Sequence, residues 1–217
     1  MNIKRIIAMT AAAAVLALSA ACGSDHDTSA ETGNQGVPGA VGYDSSITAA
    51  EDGPELMFSN VEAAAGEVAE VSLFVNGAVK NWNTCGLHIT FDDALTCEME
   101  DPKQNTIKYE LGAASKRSIG SVGMLWTNKL PEELTSNHLG SLFFTEIFEG
   151  NMGGDGEIAK FFFKVPENAK SGTVYNIGIY YLPPDDTRSD MFRNVEGDLS
   201  LEKYAFENWK GGTVTVK

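Results

Sequence analysis

From Pro54 to the end of the chain, apolar and polar residues alternate in short runs. In 68–75, Ala69, Val71, Leu73 and Val75 fall on one side, and Val68, Glu70, Ser72 and Phe74 on the other. The cleanest alternation is in 84–91, where Cys85, Leu87, Ile89 and Phe91 oppose Thr84, Gly86, His88 and Thr90. Side chains two apart share one face of a strand, so each run predicts a strand with one buried and one presented face. Further strands are predicted over 56–61, 95–98, 106–111, 120–126, 139–148, 157–165, 174–182 and 213–216. Turn signals separate them: Gly66, Asp92-Asp93, Gly153-Gly154-Asp155-Gly156, Pro183-Pro184 and Gly211-Gly212. Helical periodicity is confined to a turn at 130–134, with Pro131 near its start, and to 199–206. About nine strands without long helices between them exclude a parallel α/β sheet. The pattern predicts an all-β, antiparallel β-sandwich, jelly-roll-like, with one or two short helical insertions.

The first 50 residues follow a different pattern. Lys4 and Arg5 precede an apolar stretch, 6–18, too short to span a membrane comfortably. Ser19, Ala20 and Ala21 then lead to Cys22. Leu18-Ser19-Ala20-Ala21-Cys22 resembles a lipobox, which implies export and lipidation of Cys22; an ordinary signal cleavage is the alternative. Two acyl chains anchor firmly where one is marginal. Residues 23–50 are rich in Ser, Thr, Gly, Asp and Glu and are expected to form a flexible linker. The expected organisation is a lipoprotein signal over 1–22, a linker over 23–50 and one folded domain over 51–217. Cys85 and Cys97 lie in apolar runs, where a lone cysteine is a small hydrophobe, although export also permits their pairing.

The formal charge of −14 excludes a phosphate-binding basic footprint, hence nucleic acid, and a polybasic membrane patch. Acidity favours solubility and a partner with some positive charge. Only His26, His88 and His138 are present, and no zinc-protease, serine-hydrolase or P-loop motif occurs. Asp185-Asp186 with Asp190 lacks the ligand order of an EF-hand loop.

The domain resembles a cohesin in four places. Leu56 to Val75, with Gly66-Glu67 ending its turn, is similar to the cohesin start. Cys85-Gly86-Leu87-His88-Ile89-Thr90-Phe91-Asp92, followed by Leu95, is similar to the third strand. Asp155-Gly156-Glu157-Ile158-Ala159-Lys160-Phe161-Phe162-Phe163-Lys164-Val165 is the most specific match. Gly211-Gly212-Thr213-Val214-Thr215-Val216 resembles the closing strand. The lengths of 99–138 and 183–209 look like those of divergent ruminococcal cohesins.

The resemblance implies a non-catalytic module of a cell-surface anchoring scaffoldin that binds a dockerin-containing protein. It implies no cofactor of its own, since calcium would belong to the dockerin, and a monomer when free. The docking face it implies contains Thr84, Gly86, His88 and Thr90, whose small members would let a partner helix lie close. Over 139–148 both sides are apolar, Leu142, Phe144 and Phe148 against Phe143 and Ile147, which suggests a central strand whose outer side a partner covers. Phe143, Thr145 and Ile147 are taken as that side, and alternation adds Asn176, Gly178, Tyr180 and Leu182, with Met124 and Trp126 as a Met–aromatic patch. A carbohydrate-binding module remains open and predicts exposed aromatics among Trp82, Trp126, Trp209, Tyr180 and Tyr181. An enzyme predicts buried carboxylates with shifted pKa values in a cleft.

Overall fold

The computed structural model describes residues 45–78, 80–182 and 190–217. The expected signal with Cys22, the linker up to residue 44, and the Pro183-Pro184 and Asp185-Asp186 pairs lie outside the described residues. The strands are β1 (Glu55–Phe58), β2 (Asn60–Ala63), β3 (Val68–Asn76), β4 (Thr84–Asp92), β5 (Thr96–Cys97), β6 (Met99–Asp101), β7 (Thr106–Ile107), β8 (Tyr109–Leu111), β9 (Ser118–Trp126), β10 (Leu139–Phe148), β11 (Gly156–Lys164), β12 (Val174–Ile179), β13 (Met191–Arg193) and β14 (Gly212–Val216). Helix α1 (Glu132–Ser136) lies between β9 and β10, α2 (Leu199–Glu207) between β13 and β14, and a 3-10 turn (Ala113–Ser115) before β9.

The smaller sheet runs β1-β3-β11-β5, with β8 also paired to β11. The larger runs β2-β14-β12-β4-β10-β9-β7-β6, with β13 paired to β4 beside β12. Among the described residues the strand ladders are antiparallel except β14 with β2, which is parallel.

The buried cluster between the sheets contains the predicted inward sets: Ala69, Val71, Leu73 and Val75 from β3, and Cys85, Leu87, Ile89 and Phe91 from β4. Aromatic rings pack edge to face across it, Trp82 against Phe148 at 4.8 Å and Phe144 against Phe161 at 5.3 Å. Cys85 and Cys97 are both buried and both free.

The expected single strands over 56–61 and 106–111 are each divided. Ser59 separates β1 in the smaller sheet from β2 in the larger, and Lys108 separates β7 from β8 in the same way. One residue suffices for the change of sheet, so the apolar pattern shows no break there.

The long connection after β12 folds back as β13 and α2. Asp198 caps α2, accepting the Ser200 amide at 2.9 Å. Glu202 is fully buried, and its Oε2 accepts Arg193 Nε at 2.6 Å and the Phe192 amide at 3.2 Å. That carboxylate fastens α2 to β13, while Tyr181 meets Phe206 of α2 at 4.8 Å.

Candidate functional site

The outer face of the larger sheet is built from cross-strand rows on β9, β10, β4 and their neighbours. Gly120, Ile147, Thr84 and Arg193 form the first row; Val122, Thr145, Gly86 and Met191 the second. Met124, Phe143 and His88 form the third; Trp126, Ser141, Thr90 and Gly178 the fourth. Facing residues in a row lie close enough to act as one surface.

The first rows are open. Val122 is 47%, Ile147 45% and Met124 42% exposed, with Phe143, Thr145 and Met191 half-buried beside them. The strip is an apolar surface flanked by polar Thr84 and Thr145. Exposed apolar residues grouped across neighbouring strands mark a surface suited to a partner.

The fourth row is covered. Residues 127–138 rise from β9, turn through α1 and return to β10, with Lys129 and His138 at positive φ at either end. Leu134 of α1 is fully buried against Tyr180 and Leu182, with Trp126, Leu130 and Leu139 packed around them. Tyr180 Oη donates to Glu133 Oε2 at 3.2 Å, which ties α1 to the end of β12.

Beneath this cover lies a His–Asp pair. His88 and Asp190 are 2% and 0% exposed, and Asp190 Oδ1 is 2.7 Å from His88 Nδ1. The same oxygen accepts the His88 amide at 3.0 Å, and Oδ2 accepts the Leu182 amide at 3.1 Å. The carboxylate thus fills the gap along β4 where β12 ends and β13 has not begun. Burial pushes the Asp190 carboxyl up to about 6, against the pull of His88 and the two amides. The His88 ring packs at a tilt between Trp126, 4.7 Å away, and Phe143, 4.8 Å away.

These positions correct part of the predicted site. Gly86, His88, Thr90, Gly178, Tyr180 and Leu182 lie on the outer face but are buried by this chain itself. A side chain at Gly86 would meet Met191 Cγ at 3.2 Å and Phe143 Cζ at 3.5 Å. One at Gly178 would meet Thr90 Oγ1 and Trp209, both at 3.2 Å. The glycines make room for the domain's own side chains. Met124 and Ile147 are exposed, Thr84, Phe143, Thr145 and Trp126 half-buried, and Asn176 exposed on β12 away from the strip.

Val122 and Met191 complete the open strip and were not predicted. Val122 was legible, two residues before Met124 in the same alternation. Met191 had no signal, because β13 is three residues inside a long connection.

A second buried acid lies under the open rows. Glu146, on the inner side of β10, is 1% exposed, and Ser115 Oγ lies 2.7 Å from both Glu146 Oε2 and the Ile158 carbonyl. One hydroxyl has one proton, so both contacts are hydrogen bonds only when Glu146 supplies its own. Burial pushes its carboxyl up to about 7. Glu146 faces core residues and Asp190 a covered ring, so neither carboxylate opens into a cleft.

Trp82, Trp209, Tyr180 and Tyr181 are buried, and Trp126 Nε1 donates to its own strand's continuation at Asn128, 2.8 Å away. The aromatic line that a sugar-stacking face needs is therefore missing among the described residues. Among them no three His, Cys, Asp or Glu side chains form a metal-holding group.

No protein-family model and no curated protein matches the chain. Among solved structures, it is similar to a type III cohesin module from the cellulosomal ScaE cell-surface anchoring scaffoldin of Ruminococcus flavefaciens. The TM-score is 0.62 at 22% identity, over 86% of this chain and 94% of that one. This chain has the cohesin fold. The sixth cohesin of Acetivibrio cellulolyticus scaffoldin B, solved in complex with a mutant Cel5 dockerin, is also similar. There the TM-score is 0.52 at 18% identity, over 76% of this chain and all of that one. Within the cohesin fold of this chain, α1 and its Leu134–Tyr180–Leu182 cluster are the elements that divide the outer face into open and covered rows.

Proposed function

We propose that this chain is a non-catalytic cohesin that binds a dockerin-containing protein on its open strip, and that Cys22 carries the lipid holding it at the bacterial cell surface. The observation that carries the reading is the exposed group Val122, Met124 and Ile147 on one sheet face of a cohesin fold. The similar Acetivibrio cohesin, captured with a dockerin, supports the class of partner. Lipidation rests on the lipobox-like Leu18 to Cys22 run alone.

In this reading the apolar strip supplies the buried centre of the contact, and half-buried Phe143 and Met191 the adaptable walls. Affinity at such surfaces concentrates in a few central side chains, while charges at the rim steer encounter. Calcium acts on the dockerin, and the free cohesin is a monomer.

The test is calorimetry of the full chain against a panel of dockerins, with and without calcium. One dockerin binding in calcium and failing in chelator is the expected result. Failure of the whole panel, with an insoluble glycan bound instead, overturns the reading. Metabolic labelling with a fatty-acid probe, lost in Cys22→Ala, tests the anchor.

A further inference from the structure

The cations of this acidic chain are distributed unevenly. Among the described residues Lys160 pairs with Glu70, Lys164 with Glu167, Arg193 with Glu202, Lys203 with Glu207, and Lys210 with Glu55. Eight described Lys and Arg residues lie outside these pairs, and three of them, Lys80, Lys116 and Arg117, line one depression of about 210 Å³. Arg117 Nη1 reaches only the Met152 sulfur, at 3.3 Å, a weak acceptor. Asp155 is engaged by backbone and accepts the Gly77 and Ala78 amides at 3.2 and 2.7 Å. Three like charges around one hollow give a local positive potential in a chain of net charge −14, and such a potential attracts an anion.

The floor of the hollow is rigid. Gly153 lies so close to the indole of buried Trp82 that a side chain there would overlap the ring. Trp82 Nε1 donates to the Gly154 carbonyl at 3.1 Å, the Gly154 amide to Ala114 at 3.1 Å, and the Lys80 amide to Gly153 at 2.8 Å. These bonds lock the Lys80 turn, the 3-10 turn and the β10–β11 loop together. Lys80 is held at φ +55°, a conformation that costs a residue with a side chain and that persists only where its surroundings impose it.

We propose that this hollow binds the carboxylate of a hexuronic-acid sugar. Arg117 offers a planar fork that matches a carboxylate, Lys80 and Lys116 add point charges, and exposed Ala113 and Met152 receive the carbon face of a pyranose ring. The volume exceeds that of an Asp or Glu side chain and suits one ring with its carboxylate. The lining shares no residue with the docking rows, so the site acts independently of the proposed dockerin contact. Recognition here rests on charge and does not need the aromatic platform that the outer face lacks.

The experiment is calorimetry of the full chain with trigalacturonate, its methyl ester and triglutamate at low and high salt. Trigalacturonate binds, weakens as salt rises, and binds at least tenfold more tightly than the ester or the peptide. Arg117→Gln with Lys116→Gln weakens it at least tenfold at unchanged Tm, since both side chains are exposed. Ile147→Glu leaves it unchanged while weakening dockerin binding, which separates failure of this site from failure of the docking face. No binding of trigalacturonate, equal binding of the ester, tighter binding of triglutamate, or an unaffected double variant each overturns the proposal.

Discussion

The open and covered rows of the outer face use the same strands and the same alternation, yet one end meets solvent and the other is sealed. The difference comes from outside the strands. Twelve residues between β9 and β10 place Leu134 over Tyr180 and Leu182, and the chain after β12 sends Asp190 back to β4. Period-two patterning says which way a side chain points. Only the insertions decide whether anything lies on top of it. The covered end gains a fastened ring and carboxylate; the open end keeps a strip of about the kind a partner buries.

The largest effect expected from breaking this contrast is at Asp190. Asp190→Ala leaves two amides and the His88 ring without their acceptor inside the protein, at a cost of about 3–5 kcal/mol. Asp190→Asn retains the shape and should lose less. Urea unfolding measures both, and equal stability of Asp190→Ala and the parent would show that the pair does not hold the covered end.

The acid beneath the open rows gives the next effect. The Glu146 carboxyl is raised in the folded state, from 4.5 to about 7, so its contribution is complete below pH 4.5 and is lost as pH rises through 7. The loss is at most about 3 kcal/mol, since each unit of pKa difference is worth about 1.4 kcal/mol. Glu146→Gln should remove this part of the pH dependence and be more stable than the parent at pH 8. A parent unfolding free energy that is flat between pH 4.5 and 7.5, or that rises, would contradict the neutral carboxyl.

Smaller again is the change at the strip. Ile147→Glu or Met124→Glu should weaken dockerin binding by about 2 kcal/mol, as central apolar residues of interfaces do. Stability should move by no more than about 0.5 kcal/mol, because both side chains already face water. Binding that survives both substitutions would place the contact elsewhere. Asn176→Ala, exposed on β12 but off the strip, should change neither quantity measurably.

Much of the fold was legible before any coordinates. The inward sets of β3 and β4 follow from alternation alone, and the bounds of β10 from an apolar run with apolar residues on both of its sides. The helical turn at 130–134 was visible through Pro131, and α2 through 199–206. What it covered was not visible, because packing between Leu134 and Tyr180 joins residues 46 apart with no local mark. His88 illustrates the limit. Its side of β4 was read correctly, but its burial depends on Asp190, a single residue far along the chain. Glu146 is the reverse case: a charged residue type in an inward position, where burial favours the neutral carboxyl.

The two thiols have a consequence for how the domain matures. Cys85 lies in the larger sheet and Cys97 in the smaller, both enclosed, and burial raises both, Cys97 to about 12. Thiols so reluctant to ionise are poor nucleophiles and slow to oxidise. The folded domain therefore needs neither an oxidant nor an isomerase, and it should melt at the same temperature with and without a reducing agent, whichever compartment it is made in.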